Sequence, residues 1–181
     1  AGMGWALKVA REHDGDLGAP RRKGDEARDE GIRLHGDIDA YIKSGLVSEE
    51  NPLFVSWLNA LGDQDWIASE QFVYSASGYG GTLDAVSRDD DGLCVWDWKT
   101  VARESWDKYG STLRKAKDSA QLAAYAYILR AMGSVYAPTR GRIGYVLRDG
   151  SEVVVETINL DWGWKLFCAS KTIYALRKGP L

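Results

Sequence analysis

The chain has 181 residues, 45% of them hydrophobic and 27% charged, with a formal net charge of −3. This composition is typical of one folded domain with a full core, and it excludes a disordered chain. No apolar run is long enough to cross a membrane, and the start lacks the pattern of a secretion signal. We therefore expect one cytoplasmic domain over residues 1–181, with residues 1–23 as a peripheral segment.

The cysteine content excludes two kinds of metal site. Only two cysteines, Cys94 and Cys168, are present, and they lie far apart in the sequence. Neither belongs to a C-x-x-C pair, which rules out a structural zinc site and a four-cysteine iron–sulfur cluster. We expect both to be buried free thiols.

The first part of the chain is predicted to be helical. Residues 5–12 are expected to form a short helix and residues 14–23 a loop. Residues 24–43 have helical composition, with Gly45 as a stop, and another helix is expected over residues 52–61. One apolar stripe runs along the helix at residues 24–43, at spacings of three and four residues: Ile32, His35, Ile38 and Ile42.

Three strand-like stretches follow at residues 65–75, 78–87 and 92–100. An Asp-Asp-Asp-Gly sequence between the second and the third is a strong turn signal. Residues 101–118 are polar and carry an excess of basic side chains, which predicts a flexible basic loop.

The last part of the chain is predicted to contain two helices around a hairpin. Residues 119–132 have an Ala/Leu-rich helical pattern that ends at Gly133. Residues 140–148 and 151–158 are expected to form the hairpin, and residues 160–178 the closing helix. This order of elements predicts an α/β fold, in which a central mixed β-sheet is flanked by helices.

The most informative motif is a pair of aspartates with a lysine on neighbouring strands. In Asp97-Trp98-Lys99 the two charged residues share one face of a strand, and Asp84 lies on the preceding strand. A turn at Asp89–Gly92 would place Asp84 directly opposite Asp97, with Cβ atoms about 4.5–5.5 Å apart. Two carboxylates that close repel each other unless a cation lies between them. Because hard cations prefer carboxylate oxygen, we predict that one or two Mg²⁺ or Mn²⁺ ions bind here.

Five sequence elements in a fixed order carry a family resemblance: a helix with His35, a strand with Glu70, the run Gly81-Thr82-Leu83-Asp84, the motif Asp97-Trp98-Lys99, and the run Gln121-Leu122-Ala123-Ala124-Tyr125. From about residue 35 to residue 125 the chain resembles the RecB-like exonuclease branch of the PD-(D/E)xK nuclease superfamily. The resemblance implies a restriction-endonuclease-like core and a DNA substrate, in a bacterial or phage-infected cell. The cluster-binding cysteines and helicase motor motifs of some relatives are absent from the sequence. This implies a nuclease without an iron–sulfur cluster, acting alone or with a helicase or recombination protein as partner.

The resemblance also implies roles for the site residues. His35 would bind the outer metal ion, although a histidine on an apolar stripe is more often a packed core residue. Glu70 would act near the metal ions or on Lys99, or else be a simple edge-strand acid. Lys99 would place or activate the attacking water and stabilise negative charge. The expected catalytic residues are Glu70, Asp84, Asp97 and Lys99, and the expected metal ligands are His35, Asp84, Asp97 and the backbone carbonyl of Trp98.

DNA contacts are expected from two neighbouring segments. The resemblance assigns Gln121 and Tyr125, which share one helix face, to the DNA strand and the active site. Five basic residues between the catalytic strand and that helix would guide a phosphate backbone, or form an ordinary solvated face: Arg103, Lys108, Arg114, Lys115 and Lys117. Trp106 and Tyr109 in the same segment are candidates for stacking on bases.

Three functions stay open at this point. The leading one is a metal-dependent DNA exonuclease that acts from strand ends, on single-stranded DNA, in recombination, repair or phage DNA processing. Hydrolysis would proceed by direct attack of water, because no serine–histidine or cysteine–histidine arrangement is visible. An endonuclease of the same superfamily would use the same chemistry. A non-cleaving nucleic-acid-binding module would keep only the fold, but the complete acid–acid–lysine set argues against it.

Overall fold

A computed structural model describes residues 8–9, 11–14, 16, 18–112, 115–135 and 137–178. The helices are α1 (Ala19–Ser44), α2 (Pro52–Leu61), α3 (Arg103–Tyr109), α4 (Lys115–Ala131) and α5 (Leu160–Lys178). The strands are β1 (Asp65–Ser75), β2 (Tyr79–Asp89), β3 (Gly92–Val101), β4 (Arg140–Leu147) and β5 (Val153–Ile158). Among the described residues, no helix combines the length and the apolar character that a bilayer span requires.

The strands form one mixed sheet in the order β1-β2-β3-β4-β5. Strands β1, β2 and β3 are antiparallel neighbours, β3 and β4 are parallel, and β4 and β5 are antiparallel. The connection between the parallel strands contains α3 and α4, as parallel pairing requires a long crossover. Because helices pack on both faces, the predicted α/β fold is confirmed.

Two hydrophobic clusters separate the faces of the sheet. On the side of α1 and α2, a tryptophan cluster of Trp57, Trp96 and Trp98 is buried. The ring of Trp98 lies 5.7 Å from that of Trp57 and 5.2 Å from that of Trp96. On the other side, apolar residues of α4 such as Leu122 and Ile128 pack against the sheet. The side chains of β3 therefore alternate between two cores. The charged residues of β3, Asp97 and Lys99, lie on a strand whose neighbouring residues are buried on both faces.

Several predicted boundaries are confirmed residue for residue. Helix α2, strand β1 and helix α5 occupy the ranges that the sequence predicts. The Asn51 side chain caps α2 by accepting hydrogen bonds from the backbone N–H groups of Leu53 and Phe54. Gly45 ends α1 with a left-handed φ of 72°, the conformation that favours glycine.

The prediction for the start of the chain is partly wrong. The expected loop at residues 14–23 gives way to α1 at Ala19, because Pro20 lies in the first turn, where proline is tolerated. The predicted apolar stripe is wrong at Ile32, which is 64% exposed, while Leu34 is buried in its place. Within the predicted helix at residues 5–12, residues 8, 9, 11 and 12 are helical, and the others lie outside the described residues.

The expected flexible loop at residues 101–118 is also wrong, since α3 occupies much of it and α4 begins at Lys115. Trp106 of α3 is half-buried and packs on Tyr145 with ring centroids 5.0 Å apart, and its stacking on bases stays a prediction. Both cysteines are free thiols, and Cys94 is buried as expected. The prediction is wrong for Cys168, which lies on the exposed side of α5.

Candidate metal centre and active site

The β2–β3 hairpin confirms the predicted register. Ala85 pairs with Trp96, and the pairing continues in step to the turn. Regular pairing stops short of Asp84, however. Instead Asp84 Oδ2 accepts a hydrogen bond of 2.6 Å from the backbone N–H of Trp98. Asp84 therefore holds the backbone between Asp97 and Lys99 in place.

Glu70 and Asp84 occupy an interruption in the pairing of β1 with β2. The regular pairs on either side of them are Ser69–Ala85 and Gln71–Leu83. Glu70 has a φ of 46°, in the left-handed region that costs free energy for any residue but glycine. The kink turns the Glu70 side chain towards α1, where His35 lies.

His35 of α1 completes a group that we call the metal triad, with Glu70 and Asp84. One nitrogen or oxygen from each of the three lies within 4.8 Å of the others. His35 Nδ1 is 3.5 Å from Asp84 Oδ1 and 3.9 Å from Glu70 Oε1. Two ligands of an octahedral Mg²⁺ ion are about 2.9–4.2 Å apart, given metal–oxygen distances of about 2.0–2.1 Å. The triad therefore fits one divalent cation with little movement.

The hydrogen bonding of His35 suits a metal ligand. Its Nε2 lies 3.2 Å from the carbonyl oxygen of Trp98. A carbonyl oxygen only accepts, so Nε2 carries a proton and donates it, and in the neutral ring Nδ1 faces the carboxylates with a lone pair. The Trp98 carbonyl thus orients His35, and its direct contact with a metal ion stays a prediction.

The protonation of the triad reflects the closeness of its charges. Burial opposes the charged form of His35, but the hydrogen bond and negative charge of Asp84 outweigh it and raise the pKa of His35. Burial, followed by the charge of Asp84, raises the pKa of Glu70. A cation bound between these groups would relieve the repulsion between the two carboxylates.

Asp97 and Lys99 form an ion pair beside the triad. Asp97 is 1% exposed, and burial raises its pKa, an effect that the Lys99 ammonium opposes. Burial disfavours the ammonium of Lys99, but the Asp97 carboxylate outweighs it, so the pKa of Lys99 is raised and the side chain stays positive. Asp97 is not a member of the triad, and its role as a metal ligand stays a prediction.

Gln121 and Tyr125 share the predicted face of α4 and reach the site from its side of the sheet. Gln121 Nε2 donates to Asp97 Oδ1 at 3.3 Å and lies 3.5 Å from the Tyr125 hydroxyl. Gly81 makes room for Tyr125, since a Cβ at this position would lie 2.5 Å from the hydroxyl oxygen. In this structure both side chains support the site from within, and their contact with DNA stays a prediction.

A cleft of about 770 Å³ opens above the triad. We call it the metal cleft, and it is lined by His35, Glu70, Asp84, Trp98 and Lys99 among others. Arg28 and Arg148 also line it. Sequence reasoning missed these two cations because neither belongs to a motif: Arg28 lies in a charged stretch of α1, and Arg148 follows β4 directly. Only the packing of α1 on the sheet brings them together.

Two of the basic residues expected to guide DNA are already paired with acids. Arg103 contacts Asp149 at 3.2 Å and Glu152 at 3.3 Å, which ties α3 to the β4–β5 turn. Lys115 lies 3.6 Å from Glu156. The charges of Arg103 and Lys115 are therefore largely neutralised, and their contact with DNA stays a prediction.

Of the remaining three basic residues, the two that the structure describes, Lys108 and Lys117, do not line the metal cleft. Lys108 is exposed and lies over the ring of Tyr109, 4.9 Å from its centroid. Lys117 is exposed in the first turn of α4, on the opposite side of the sheet from α1. Arg114 lies outside the described residues. For Lys108, Lys117 and Arg114, DNA contact stays a prediction.

The mixed sheet and the acid–lysine site define a protein of the restriction-endonuclease-like class. The chain belongs to the PD-(D/E)XK nuclease superfamily, whose family model matches residues 25–160. Members of this superfamily are metal-dependent nucleases. No curated protein matches the chain significantly. Among solved structures, the crystal structure of SSO0001 is 16% identical with a TM-score of 0.42, over 97% of this chain and 71% of that one.

Proposed function

We propose that this protein is a metal-dependent DNA exonuclease that hydrolyses single-stranded DNA from strand ends, in recombination, repair or phage DNA processing. The observation that carries the proposal is the metal triad beside the Asp97–Lys99 ion pair, in an open cleft of a nuclease-superfamily member.

The triad would hold Mg²⁺ or Mn²⁺ through His35 Nδ1 and the carboxylates of Glu70 and Asp84. When bound, such an ion lowers the pKa of a coordinated water and neutralises charge on the phosphate. The Trp98 carbonyl keeps His35 in the tautomer that can coordinate, and the Trp98 N–H keeps Asp84 in place.

Lys99 provides the positive charge next to the reacting phosphate. Because its pKa is raised, it remains an ammonium, which suits it to orient water and to stabilise negative charge and not to act as a base. Asp97 is a positioning residue in this scheme, since it holds Lys99 and is itself held by Gln121. Catalysis would therefore depend on α4 as well as on the strands.

The proposed preference for strand ends rests on the order of motifs, which resembles that of RecB-like exonucleases and includes Gln121 and Tyr125 next to the site. An endonuclease would use the same residues and differ only in access to the cleft. A non-cleaving module would have no need of a protonated lysine beside a preformed metal triad.

A digestion assay would test the proposal. Its substrates are end-labelled single-stranded DNA, end-labelled duplex DNA and a circular single strand, each incubated with Mg²⁺, Mn²⁺ or EDTA. We expect digestion of the linear single strand with metal only, and an intact circle. Asp84→Asn should abolish digestion, whereas Asp90→Asn, at the exposed turn of the same hairpin, should not. A cut circle would establish the endonuclease, and equal activity of wild type and Asp84→Asn would refute the site.

A further inference from the structure

The outer half of the β1–β2 hairpin extends the metal site with two aromatic residues. Beyond the interruption at Glu70, regular pairing resumes, and Phe72 pairs with Thr82 and Tyr74 with Gly80. Two residues along a strand span about 6–7 Å. The aromatic residues therefore lie one and two steps beyond Glu70 along β1.

The two faces of this hairpin differ sharply in packing. On the side of α4 and α5, Val73 is buried, and the ring of Tyr79 lies 4.8 Å from that of Phe167. Since successive strand residues alternate, Phe72 and Tyr74 point to the other side, which is the side of α1 and the metal triad. That side is open: Phe72 is 72% exposed and Tyr74 is 55% exposed.

The residues opposite the two rings are small. Thr82 and Gly80 leave the ring faces uncovered, so planar groups can approach them. Neighbouring exposed apolar side chains beside a candidate catalytic centre are typical of a ligand-binding surface, and exposed ring faces suit a flat, partly apolar ligand. Nucleobases have that shape, and aromatic side chains bind them by stacking with little regard to sequence.

We propose that Phe72 and Tyr74 form a stacking platform for unpaired nucleobases of the strand whose phosphate enters the metal triad. This inference rests on the proposed nuclease function. The spacing of the rings is about twice the 3.4 Å rise of a stacked duplex, so the platform takes bases of an extended single strand. Bases within a duplex are already paired and stacked, which makes the platform selective for single strands.

Fluorescence anisotropy in EDTA tests the platform without cleavage. The probes are a labelled oligothymidine strand and a labelled strand of equal length built from abasic residues, which has the phosphates but no bases. Phe72→Ala and Tyr74→Ala should each weaken oligothymidine binding by about 5- to 150-fold, the loss of one base–aromatic stack. Tyr74→Phe keeps the ring and should bind like wild type, as should Leu176→Ala, which removes an exposed apolar side chain from α5.

Binding of the abasic strand should be unchanged in every variant, which also shows that the variants are folded. The inference is overturned if both alanine variants bind oligothymidine like wild type, or if their affinities for oligothymidine and for the abasic strand fall equally. It is also overturned if light scattering shows a wild-type dimer that these variants convert to a monomer with DNA binding unchanged, since the face would then bind a second copy.

The outcome also separates this inference from the proposed function. If the wild-type protein cleaves nothing with Mg²⁺ or Mn²⁺, but its alanine variants selectively lose affinity for oligothymidine, the platform is supported and the nuclease function is refuted. If the wild-type protein cleaves and its alanine variants digest single strands with an unchanged KM, the platform alone is refuted.

Discussion

Gly144→Ala should destabilise the protein and loosen the metal site at the same time. Gly144 on β4 pairs with Trp98 on β3, and a Cβ there would lie 2.6 Å and 2.7 Å from two atoms of the Trp98 ring. The ring is held between Trp57 and Trp96 and cannot move aside without disturbing both. The Trp98 backbone bonds to Asp84 and His35, so a displaced ring would also shift the triad.

The expected cost follows from two opposing effects. Overpacking a core costs about 1–3 kcal/mol. Replacing a strand glycine by alanine gives back about 0.5–1 kcal/mol, because it reduces the freedom of the unfolded chain. Taken at the middle of each range, the net loss of about 1.2 kcal/mol should lower Tm by about 2–5 °C in a chain of this size.

Thermal unfolding followed by circular dichroism in EDTA would measure this loss, and the rise in Tm on adding Mg²⁺ would measure the effect on the triad. Gly24→Ala is the matched control, because nothing lies within 4 Å of its added Cβ and alanine favours a helix. Trp98→Phe should partly relieve the clash. The double variant Trp98→Phe/Gly144→Ala should therefore lose less stability than the sum of the losses of the two single variants. A stability of Gly144→Ala equal to or above wild type, or full additivity, would refute the reasoning.

Three further predictions concern the metal, the lysine and a helix contact. Mg²⁺ at about 100 times its Kd should stabilise the protein by about 2.7 kcal/mol. Because the pKa values of His35 and Glu70 are raised, protons should compete with the ion as pH falls. The increase in Tm on adding Mg²⁺ should therefore be smaller at pH 6 than at pH 8. Lys99→Met should lower kcat by about 100-fold or more in a digestion assay but leave the Mg²⁺-induced increase in Tm unchanged. Loss of that increase would mean that Lys99 is needed for the structure of the metal triad and would contradict a direct role in catalysis. Gly163→Ala should lower Tm in a melting experiment, since its Cβ would lie 2.4 Å from the backbone oxygen of Ser119 and would push α5 away from α4; an unchanged Tm would contradict that contact.

The register of the site could be predicted from the sequence because two local rules agree. The turn signal at Asp90 and Asp91 fixes where β2 ends, and the two-residue period of strands then fixes which residues pair. The limits of α2 were equally accessible, since Asn51 is a strong capping residue and Pro52 suits the first turn. Both predictions depend only on neighbours in the chain.

The grouping of the acids around His35 on one side and Lys99 on the other could not be predicted in this way. It depends on the left-handed backbone of Glu70 and on the interruption of pairing at Asp84, and no periodicity in the sequence signals either. Strand alternation alone predicts that Asp84 and Asp97 share one cation. In the structure Asp84 joins His35 and Glu70, while Asp97 is held by Lys99 and Gln121.

Trp98 links the core of the protein to its candidate site. Its ring belongs to the tryptophan cluster, while its N–H and C=O groups bond to Asp84 and His35. A close-packed core transmits small displacements, so a change in ring packing moves the backbone groups that position two candidate metal ligands, Asp84 and His35. Large-to-small substitutions in this cluster should therefore reduce metal affinity as well as stability, whereas substitutions in the opposite core near Ile128 should reduce stability and leave metal affinity unchanged.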